Sequence, residues 1–140
     1  MNIKFTLGEL TKEQQEVITT GFQRHSDSLS APPFAKARIN WLAYDSASEI
    51  VGALTANLFW DWLYIDELWT DEYYRGKGVG RQLMEIAESY AINENLIGVY
   101  LWTQSWQAGG FYEHIGYKKF TEFEDFPRGH KRIGYRKQLS

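Results

Sequence analysis

The spacing of apolar and polar residues predicts secondary structure from the first residues of the chain. Residues 2–7 (NIKFTL) alternate between polar and apolar side chains, which is typical of a half-buried strand. Residues 11–25 place apolar side chains on one side of a predicted helix, and Thr11 is expected to cap it. Residues 26–36 include two adjacent prolines and predict either a loop beside a site or a second, irregular helix.

The remaining pattern predicts a mixed α/β sheet. Residues 37–45 and 50–60 read as strands joined by a hairpin, and residues 62–70 are apolar on both faces except at Asp66 and Glu67. A strand buried on both sides belongs in the middle of a sheet. A helix, a strand, a short helix and two strands follow at 79–91, 98–103, 107–116, 117–123 and 130–139. The strand–helix–strand run implies a right-handed parallel crossover, so hairpins and one parallel pair share the sheet.

Length and composition narrow the function classes. A chain of 140 residues with 44% apolar and 24% charged residues fits a single domain over residues 1–140. Its net charge of −3 argues against nucleic-acid binding and suits a cationic substrate. The lack of cysteine excludes disulfides, cysteine nucleophiles and zinc–thiolate sites, and no metal is expected. Neither a membrane-spanning run nor a signal peptide is recognised, so we expect a cytoplasmic protein without membrane association.

The stretch RGKGVG, at residues 75–80, stands directly before a predicted helix. Backbone N–H groups of such a turn form an anion site at a helix N-terminus, and glycine lets the main chain approach a phosphate closely. The stretch matches neither the P-loop pattern GxxxxGK[ST] nor the dinucleotide pattern GxGxxG. Its spacing, Arg75-x-x-Gly78-x-Gly80, leaves two alternatives open at this point, a phosphate site and an ordinary loop.

Two longer segments carry a resemblance to a known family. The segment LWTDEYYRGKGVGRQLMEIAESYA (68–91) resembles the central strand, pyrophosphate turn and helix of the GNAT family of N-acetyltransferases. The segment QAGGFYEHIGYKKF (107–120) resembles the second signature of the same family, in the expected order. Three further stretches, FWDWLYIDELW, FYEHIGY and EDFPRGHKRIGYRKQL, are similar to a group of small bacterial members. The resemblance implies a mostly antiparallel mixed sheet, helices on both faces and a splayed parallel strand pair.

This resemblance also implies acetyl-CoA as the co-substrate, bound between the strand ending at Thr70 and the strand starting at Gly98. The main chain around Leu68 and Thr70 is then expected to pair with the pantetheine arm and to polarise the thioester. The turn is expected to hold the pyrophosphate, with Arg75 or Lys77 adding a charge. Many members have asparagine where this chain has Ser105. The implied cofactor-binding residues are Leu68, Trp69, Thr70, Arg75, Gly76, Lys77, Gly78, Val79, Gly80, Arg81, Ser105 and Tyr112.

The implied reaction is direct attack of an amine on the thioester, which requires two proton transfers. Tyr112 matches the tyrosine that stands beside the coenzyme sulfur, where a phenol can protonate the leaving thiolate. Its alternative role is a core aromatic. Asp66 is the first candidate for the base and Glu67 the second, on opposite strand faces, with Asp66 on the face of Leu68 and Thr70 unless a bulge intervenes. The alternative role of either carboxylate is structural, as a group that bonds to the neighbouring backbone. A chain of water molecules is a further route for the proton.

The remaining candidates are one histidine, one aromatic run and the binding partners. His130 is either a substrate-side residue or a surface histidine, and the run Trp60, Trp62 and Tyr64 is either sheet packing, a dimer contact or an aromatic wall for a cation. The acceptor is expected to be a small-molecule or protein amine, and the final strands are the expected interface if the protein forms a homodimer. The alternative function is a non-catalytic acyl-CoA sensor or a protein-interaction module on the same fold.

Overall fold

The computed structural model describes residues 1–107 and 109–140, and the chain divides into two compact units, Met1–Pro33 and Phe34–Ser140. In the first unit, helix α1 spans Lys12–Ser28. Its start is a capping box, because the Gln14 N–H donates to Thr11 Oγ1 at 3.1 Å and the Thr11 N–H donates to Gln14 Oε1 at 3.0 Å. The predicted cap is confirmed.

One expectation for the first third of the chain is wrong, and one of two open alternatives is excluded. Residues 2–7 form no strand, and the first unit contains no other strand with which they could pair. Alternating side chains do not make a strand unless a neighbour satisfies its N–H and C=O groups. Of the two alternatives for residues 26–36, the second helix is not observed, because α1 itself continues to Ser28 and a turn and an irregular segment follow it up to residue 35.

The second unit is built on a mixed six-stranded sheet with the strand order β1-β2-β3-β4-β6-β5. Every neighbouring pair is antiparallel except β3 and β4, which confirms the predicted parallel pair and the mixed sheet. The strands are β1 (Lys36–Tyr44), β2 (Ile50–Phe59), β3 (Trp62–Thr70), β4 (Gly98–Gln104), β5 (Lys118–Glu124) and β6 (Lys131–Gln138). A 3₁₀ turn (Glu72–Tyr74) and α2 (Val79–Asn93) connect β3 to β4, and α3 (Gly109–His114) precedes β5.

Helix α2 packs on the central strands through residues at helical spacing. Its buried side chains are Leu83, Met84, Ala87 and Ala91. They belong to one apolar cluster with alternate residues of the strands, including Leu54, Leu63 and Val99. Burying one such leucine contributes about 1.5–3 kcal/mol to folding. Helix α2 starts close to β2, where a Cβ on Gly52 would lie 2.8 Å from Val79 Cγ1.

The parallel pair β3–β4 is joined along part of its length. The described pairing runs from Trp62–Gly98 to Ile65–Leu101 and stops there. A β-bulge follows in β3, because Ala56 of β2 pairs with Ile65 whereas Thr55 pairs with Glu67. Asp66 is therefore the extra residue. Past the bulge, β3 stays paired with β2, and β4 stays paired with β6.

The interpretation of β3 as a strand buried on both faces is wrong for its second half. The strand is central in the sheet, as predicted, but Asp66, Glu67 and Trp69 are exposed. These residues border the opening between the splayed strands rather than a second packed layer. Trp60 is not on the strand with Trp62 and Tyr64, because it lies in the turn between β2 and β3 with a φ of 50°. No helix among the described residues is long and apolar enough to cross a membrane.

Candidate active site

A cleft of about 730 Å³ opens where β3 and β4 separate. Its walls come from the ends of the two strands, the glycine turn, the start of α2 and α3. Most residues that the sequence singled out line this one cleft: Asp66, Glu67, Leu68, Trp69, Thr70, Arg75, Gly76, Gly78, Val79, Gly80, Arg81 and Tyr112. Lys77 and Ser105 do not line it. Sequence reasoning missed Tyr74, Gln107 and Phe111, which also line the cleft.

The glycine turn brings main chain to the cleft without side chains in the way. Gly76 and Gly78 have φ angles of 75° and 83°, which L-residues with a Cβ adopt at a cost. The first backbone hydrogen bond of α2 runs from Gln82 N–H to Gly78 C=O at 2.9 Å. The preceding N–H groups of the helix are therefore not used by that helix, and the helix dipole makes them attractive to an anion. A Cβ on Gly80 would lie 3.7 Å from Thr70 Oγ1 and 3.8 Å from Phe111.

Basic side chains around the turn differ in their position. Arg75 lines the cleft, and its Nε donates to the Thr70 carbonyl at 3.3 Å, which ties the turn to the end of β3. Arg81 also lines the cleft and pairs with Glu85 at 3.2 Å. Lys77 Nζ lies 5.2 Å from the centre of the Tyr74 ring, outside the cleft lining. Of the two rim cations that the resemblance implied, Arg75 is the better placed for an anion in the cleft.

Tyr112 lies between two other tyrosines. Its ring centre is 6.0 Å from that of Tyr117 and 6.1 Å from that of Tyr135. Each neighbour is held through its hydroxyl, since Tyr117 donates to Glu88 at 3.0 Å and Tyr135 donates to Glu113 at 3.2 Å. Burial raises the pKa of Tyr112 to about 12. Tyr112 therefore keeps its proton throughout the neutral and mildly alkaline range.

Tyr117 and Glu88 belong to a hydrogen-bond network that also includes Lys137 and the main chain just after α3. Lys137 Nζ donates to both carboxylate oxygens of Glu88, at 3.1 and 3.3 Å, and to the Ile115 carbonyl at 3.0 Å. A cation at the C-terminal carbonyls of a helix is favourable. Burial, followed by the nearby Glu88 carboxylate, raises the pKa of Tyr117. These residues were not recognised from the sequence, because their meeting depends on how α2, α3 and β6 pack.

The two carboxylates of β3 are brought to a single guanidinium. Arg38 Nη1 is 2.9 Å from Asp66 Oδ2, and Arg38 Nη2 is 3.7 Å from Glu67 Oε1. Thr55 Oγ1 also donates to Glu67 Oε1 at 2.9 Å. The expectation that Asp66 and Glu67 point to opposite faces is wrong, because the bulge at Asp66 breaks the alternation of the strand. Arg38, on β1, could be linked to this pair only with the sheet register in hand.

Ser105 and His130 lie in the loops beyond β4 and β5. Ser105 Oγ accepts from the Lys131 N–H at 3.0 Å, and the Ser105 N–H donates to the Lys131 carbonyl at 2.8 Å. Ser105 thus closes the end of the β4–β6 pairing. His130 packs edge-to-face on Trp106, with 5.0 Å between ring centres. Ala108, the alanine of the second family signature, lies outside the described residues.

The open strand edges and one side chain fit a ligand that contains amides. Past Ile65 and Leu101 the facing edges of β3 and β4 carry N–H and C=O groups that the described β3–β4 pairing does not use. Thr103 lines the cleft between them, is 5% exposed, and its Oγ1 has no hydrogen-bond partner among the described residues. A neutral, extended chain of amides, such as the pantetheine arm of coenzyme A, would satisfy these groups. The residues therefore fit the co-substrate that the resemblance implied.

Comparison with known proteins identifies the family. Residues 8–117 match the sequence model of one protein family, which is described as "Acetyltransferase (GNAT) family". The chain belongs to the GNAT family. Among curated proteins, a blasticidin-S acetyltransferase of Streptomyces morookaense is 39% identical over 82 residues, which are 58% of this chain and 60% of that protein. The alignment thus spans about three fifths of that relative's length.

Solved structures share the fold of this GNAT protein. An acetyltransferase from Bacillus cereus ATCC 14579 superposes with a TM-score of 0.82 at 27% identity, covering 96% of this chain and 98% of that chain. A protein described as a streptothricin acetyltransferase from Bacillus anthracis str. Ames, solved with acetyl coenzyme A, has a TM-score of 0.67 at 24% identity. That match covers 73% of this chain and 62% of the other. Together these similarities confirm the predicted mixed sheet with its splayed parallel pair.

Proposed function

We propose that this protein transfers an acetyl group from acetyl-CoA to a primary amine, by direct attack within a ternary complex. One observation carries the proposal. In a GNAT chain, a single cleft joins the glycine turn before α2, the open edges of β3 and β4, and the half-buried, hydroxyl-bearing ring of Tyr112. The turn suits a pyrophosphate, the edges suit an amide arm, and the phenol suits a leaving thiolate.

The cofactor is held mainly by main chain in this proposal. The N–H groups between Arg75 and Arg81 bind the pyrophosphate, and the Arg75 side chain adds a positive charge at the rim. The main chain near Leu68 and Thr70 bonds to the pantetheine arm. An N–H group of this segment also faces the thioester oxygen, where it stabilises the negative charge that develops during attack. The side chains of Lys77 and Ser105 do not line the cleft, so this proposal assigns them no contact with the cofactor.

Tyr112 donates a proton to the coenzyme sulfur. Its pKa of about 12 ensures that the hydroxyl is protonated when the bond breaks. The same value makes complete transfer to a thiolate of ordinary basicity unfavourable by roughly 5 kcal/mol before the site responds. Tyr112 therefore acts as a hydrogen-bond donor that stabilises the developing thiolate, and its proton moves to sulfur only if burial in the site also raises the basicity of the thiolate. Tyr117 and Tyr135 keep the ring of Tyr112 in place.

The two carboxylates of β3 attract the amine and receive its proton. An acceptor ammonium is drawn to Asp66 and Glu67, which line the cleft at the bulge. Asp66 is the first candidate for accepting the proton, directly or through water, and Glu67 is the second. Arg38 already contacts both, so the incoming cation competes with a guanidinium for the same oxygens. The similarity to a blasticidin-S acetyltransferase supports a small-molecule amine as the acceptor.

The first experiment is calorimetric titration of acetyl-CoA into the wild type and into Gly78→Glu. Gly78 has a φ of 83°, so the variant adds both backbone strain and a negative charge at the pyrophosphate turn. We expect micromolar binding to the wild type and a loss of more than about tenfold in the variant. Gly129→Glu is the matched control, because Gly129 has a φ of 81° and does not line the cleft.

Release of free thiol from acetyl-CoA in the presence of a panel of amines then separates an enzyme from a sensor. Turnover with at least one cationic small molecule is the expected result. Binding without thiol release from any amine would favour the acyl-CoA sensor. Absence of binding to the wild type would remove the basis for both functions.

A further inference from the structure

Thr103 is a polar residue in the largely apolar interior of the second unit. It is 5% exposed, yet its Oγ1 has no hydrogen-bond partner among residues 1–107 and 109–140. Buried hydroxyl groups in proteins are nearly always hydrogen-bonded, and an unbonded one destabilises the fold. Valine has the same shape and would fill this position without that cost. Packing alone therefore does not explain a hydroxyl here.

The position of Thr103 points to a ligand. On β4 it lies two residues beyond Leu101, at which the described pairing with β3 ends, and it lines the cleft. Its backbone is engaged with β6, opposite Ile133. Because alternate residues share a strand face, the side chain is on the buried face with Val99 and Leu101. The hydroxyl therefore lies at the boundary between the apolar core and the cleft between the strands.

We infer that the Thr103 hydroxyl forms a hydrogen bond with an amide group of the pantetheine arm of bound acetyl-CoA, an assignment that rests on the proposed function. The hydroxyl can rotate either to donate to an amide carbonyl or to accept from an amide N–H. A single neutral hydroxyl in a lining that it shares with Leu101 and Phe111 suits an uncharged partner, whereas a phosphate needs several donors or a cation. The phosphate groups are accordingly left to the glycine turn and Arg75.

The test compares Thr103→Val, which removes the hydroxyl, with Thr103→Ser, which keeps it. Acetyl-CoA, coenzyme A and the nucleotide portion of coenzyme A alone are titrated into each protein, and the stability of the ligand-free proteins is measured in urea. We expect Thr103→Val to weaken acetyl-CoA and coenzyme A about tenfold, or about 1.4 kcal/mol, and to leave the nucleotide portion unaffected. Ligand-free Thr103→Val should be at least as stable as the wild type, and Thr103→Ser should keep its affinity.

Four results would overturn the assignment. Equal affinity of Thr103→Val and the wild type for acetyl-CoA would leave the proposed function intact and remove this contact alone. Equal weakening of the nucleotide portion would indicate a distorted cleft instead of a lost bond to the arm. Weakening of acetyl-CoA without weakening of coenzyme A would move the contact from an amide to the thioester. A wild type that binds no acetyl-CoA would overturn both the contact and the proposed function.

Discussion

Strands β3 and β4 behave differently in their two halves. From Trp62–Gly98 to Ile65–Leu101 they are paired, and alternate side chains such as Leu63 are completely buried under α2. From Asp66 onwards they separate, and the residues between them line a cleft of about 730 Å³. The same two strands thus supply core in one half and a binding site in the other.

The difference shows how two neighbouring strands can separate to form a site while each stays hydrogen-bonded to its other neighbour. Past the bulge at Asp66, β3 is still bonded to β2, and β4 is still bonded to β6. Each strand therefore remains rigid while its inner edge is open to a ligand. A polar group without a protein partner, such as the Thr103 hydroxyl, would only destabilise the paired half, whereas in the open half a bound ligand can satisfy it.

The largest expected effect comes from truncating a leucine in the paired half. Leu63→Ala removes a side chain that is 0% exposed, and should lower the free energy of unfolding by about 3 kcal/mol. Urea denaturation measures this change. Leu68→Ala is the matched control in the open half, where the side chain is only partly buried, and should cost much less stability while weakening acetyl-CoA. Equal destabilisation by the two variants would mean that the halves do not differ as described.

Tyr112→Phe tests the chemistry of the open half. Removing the hydroxyl should lower kcat about a hundredfold and leave acetyl-CoA binding nearly unchanged, since the ring remains. The raised pKa determines the pH dependence. A phenol with a pKa of about 12 stays protonated below that pH, so the ratio of wild-type to variant kcat should be constant from pH 7 to pH 10. A ratio that falls within this range would show that Tyr112 ionises there and would contradict the assigned donor role.

The same pKa makes a stability prediction with a definite sign. The folded value of about 12 is above the ordinary value of 10.0 for an unfolded chain, so the unfolded state releases this proton first. The contribution of Tyr112 to stability is intact below pH 10 and is lost as the pH rises from 10 to 12. Tyr112→Phe should therefore lose less stability than the wild type over that interval, as measured by urea denaturation at each pH.

Much of this fold is predictable because its elements are determined by local pattern. The helical spacing in α2 and the hairpin between β1 and β2 both follow from apolar periodicity and turn residues. The strand expected at residues 2–7 failed because a strand depends on a partner that periodicity does not reveal. The interpretation of 62–70 as buried on both faces failed for a related reason, since an apolar run can also line an opening.

The candidate site was predictable where main chain and motif spacing define it. The turn from Arg75 to Gly80 and the signature around Tyr112 are contiguous in sequence, and the cleft brings them together. Arg38 could not be found in this way, because its contact with Asp66 spans three strands and needs the bulge. The missing partner of Thr103 is likewise visible only when burial and hydrogen bonds are both known.

Gly80→Ala should separate the stability of α2 from its role in the cleft. Alanine raises helix propensity, so we expect the free energy of unfolding to rise by as much as about 1 kcal/mol. The new methyl group would lie 3.7 Å from Thr70 Oγ1 and 3.9 Å from Leu68 Cδ2, which are ordinary van der Waals distances. The methyl group would nevertheless fill space in the cleft that Gly80 lines. Acetyl-CoA should then bind about tenfold more weakly by calorimetry.

Gly21→Ala is the control for this prediction. Gly21 lies inside α1, and a Cβ there would meet no atom within 4 Å. This variant should show the same gain in stability with no change in acetyl-CoA affinity. If Gly80→Ala binds acetyl-CoA as tightly as Gly21→Ala does, the start of α2 does not approach the cofactor.

The smallest effect is expected at the ion pair that spans the bulge. Arg38 and Asp66 have side chains that are 43% and 40% exposed, and such pairs contribute less than about 1 kcal/mol to stability. Arg38→Gln should leave the unfolding free energy within that limit. It should lower the KM for a cationic amine a few-fold, because the guanidinium no longer competes for Asp66 and Glu67, and should not change acetyl-CoA affinity. Lys36→Gln removes a charge from the same strand and should leave KM unchanged. A large loss of stability in Arg38→Gln would instead mean that the ion pair holds the bulge, and that the open half of β3 needs a support which the paired half does not.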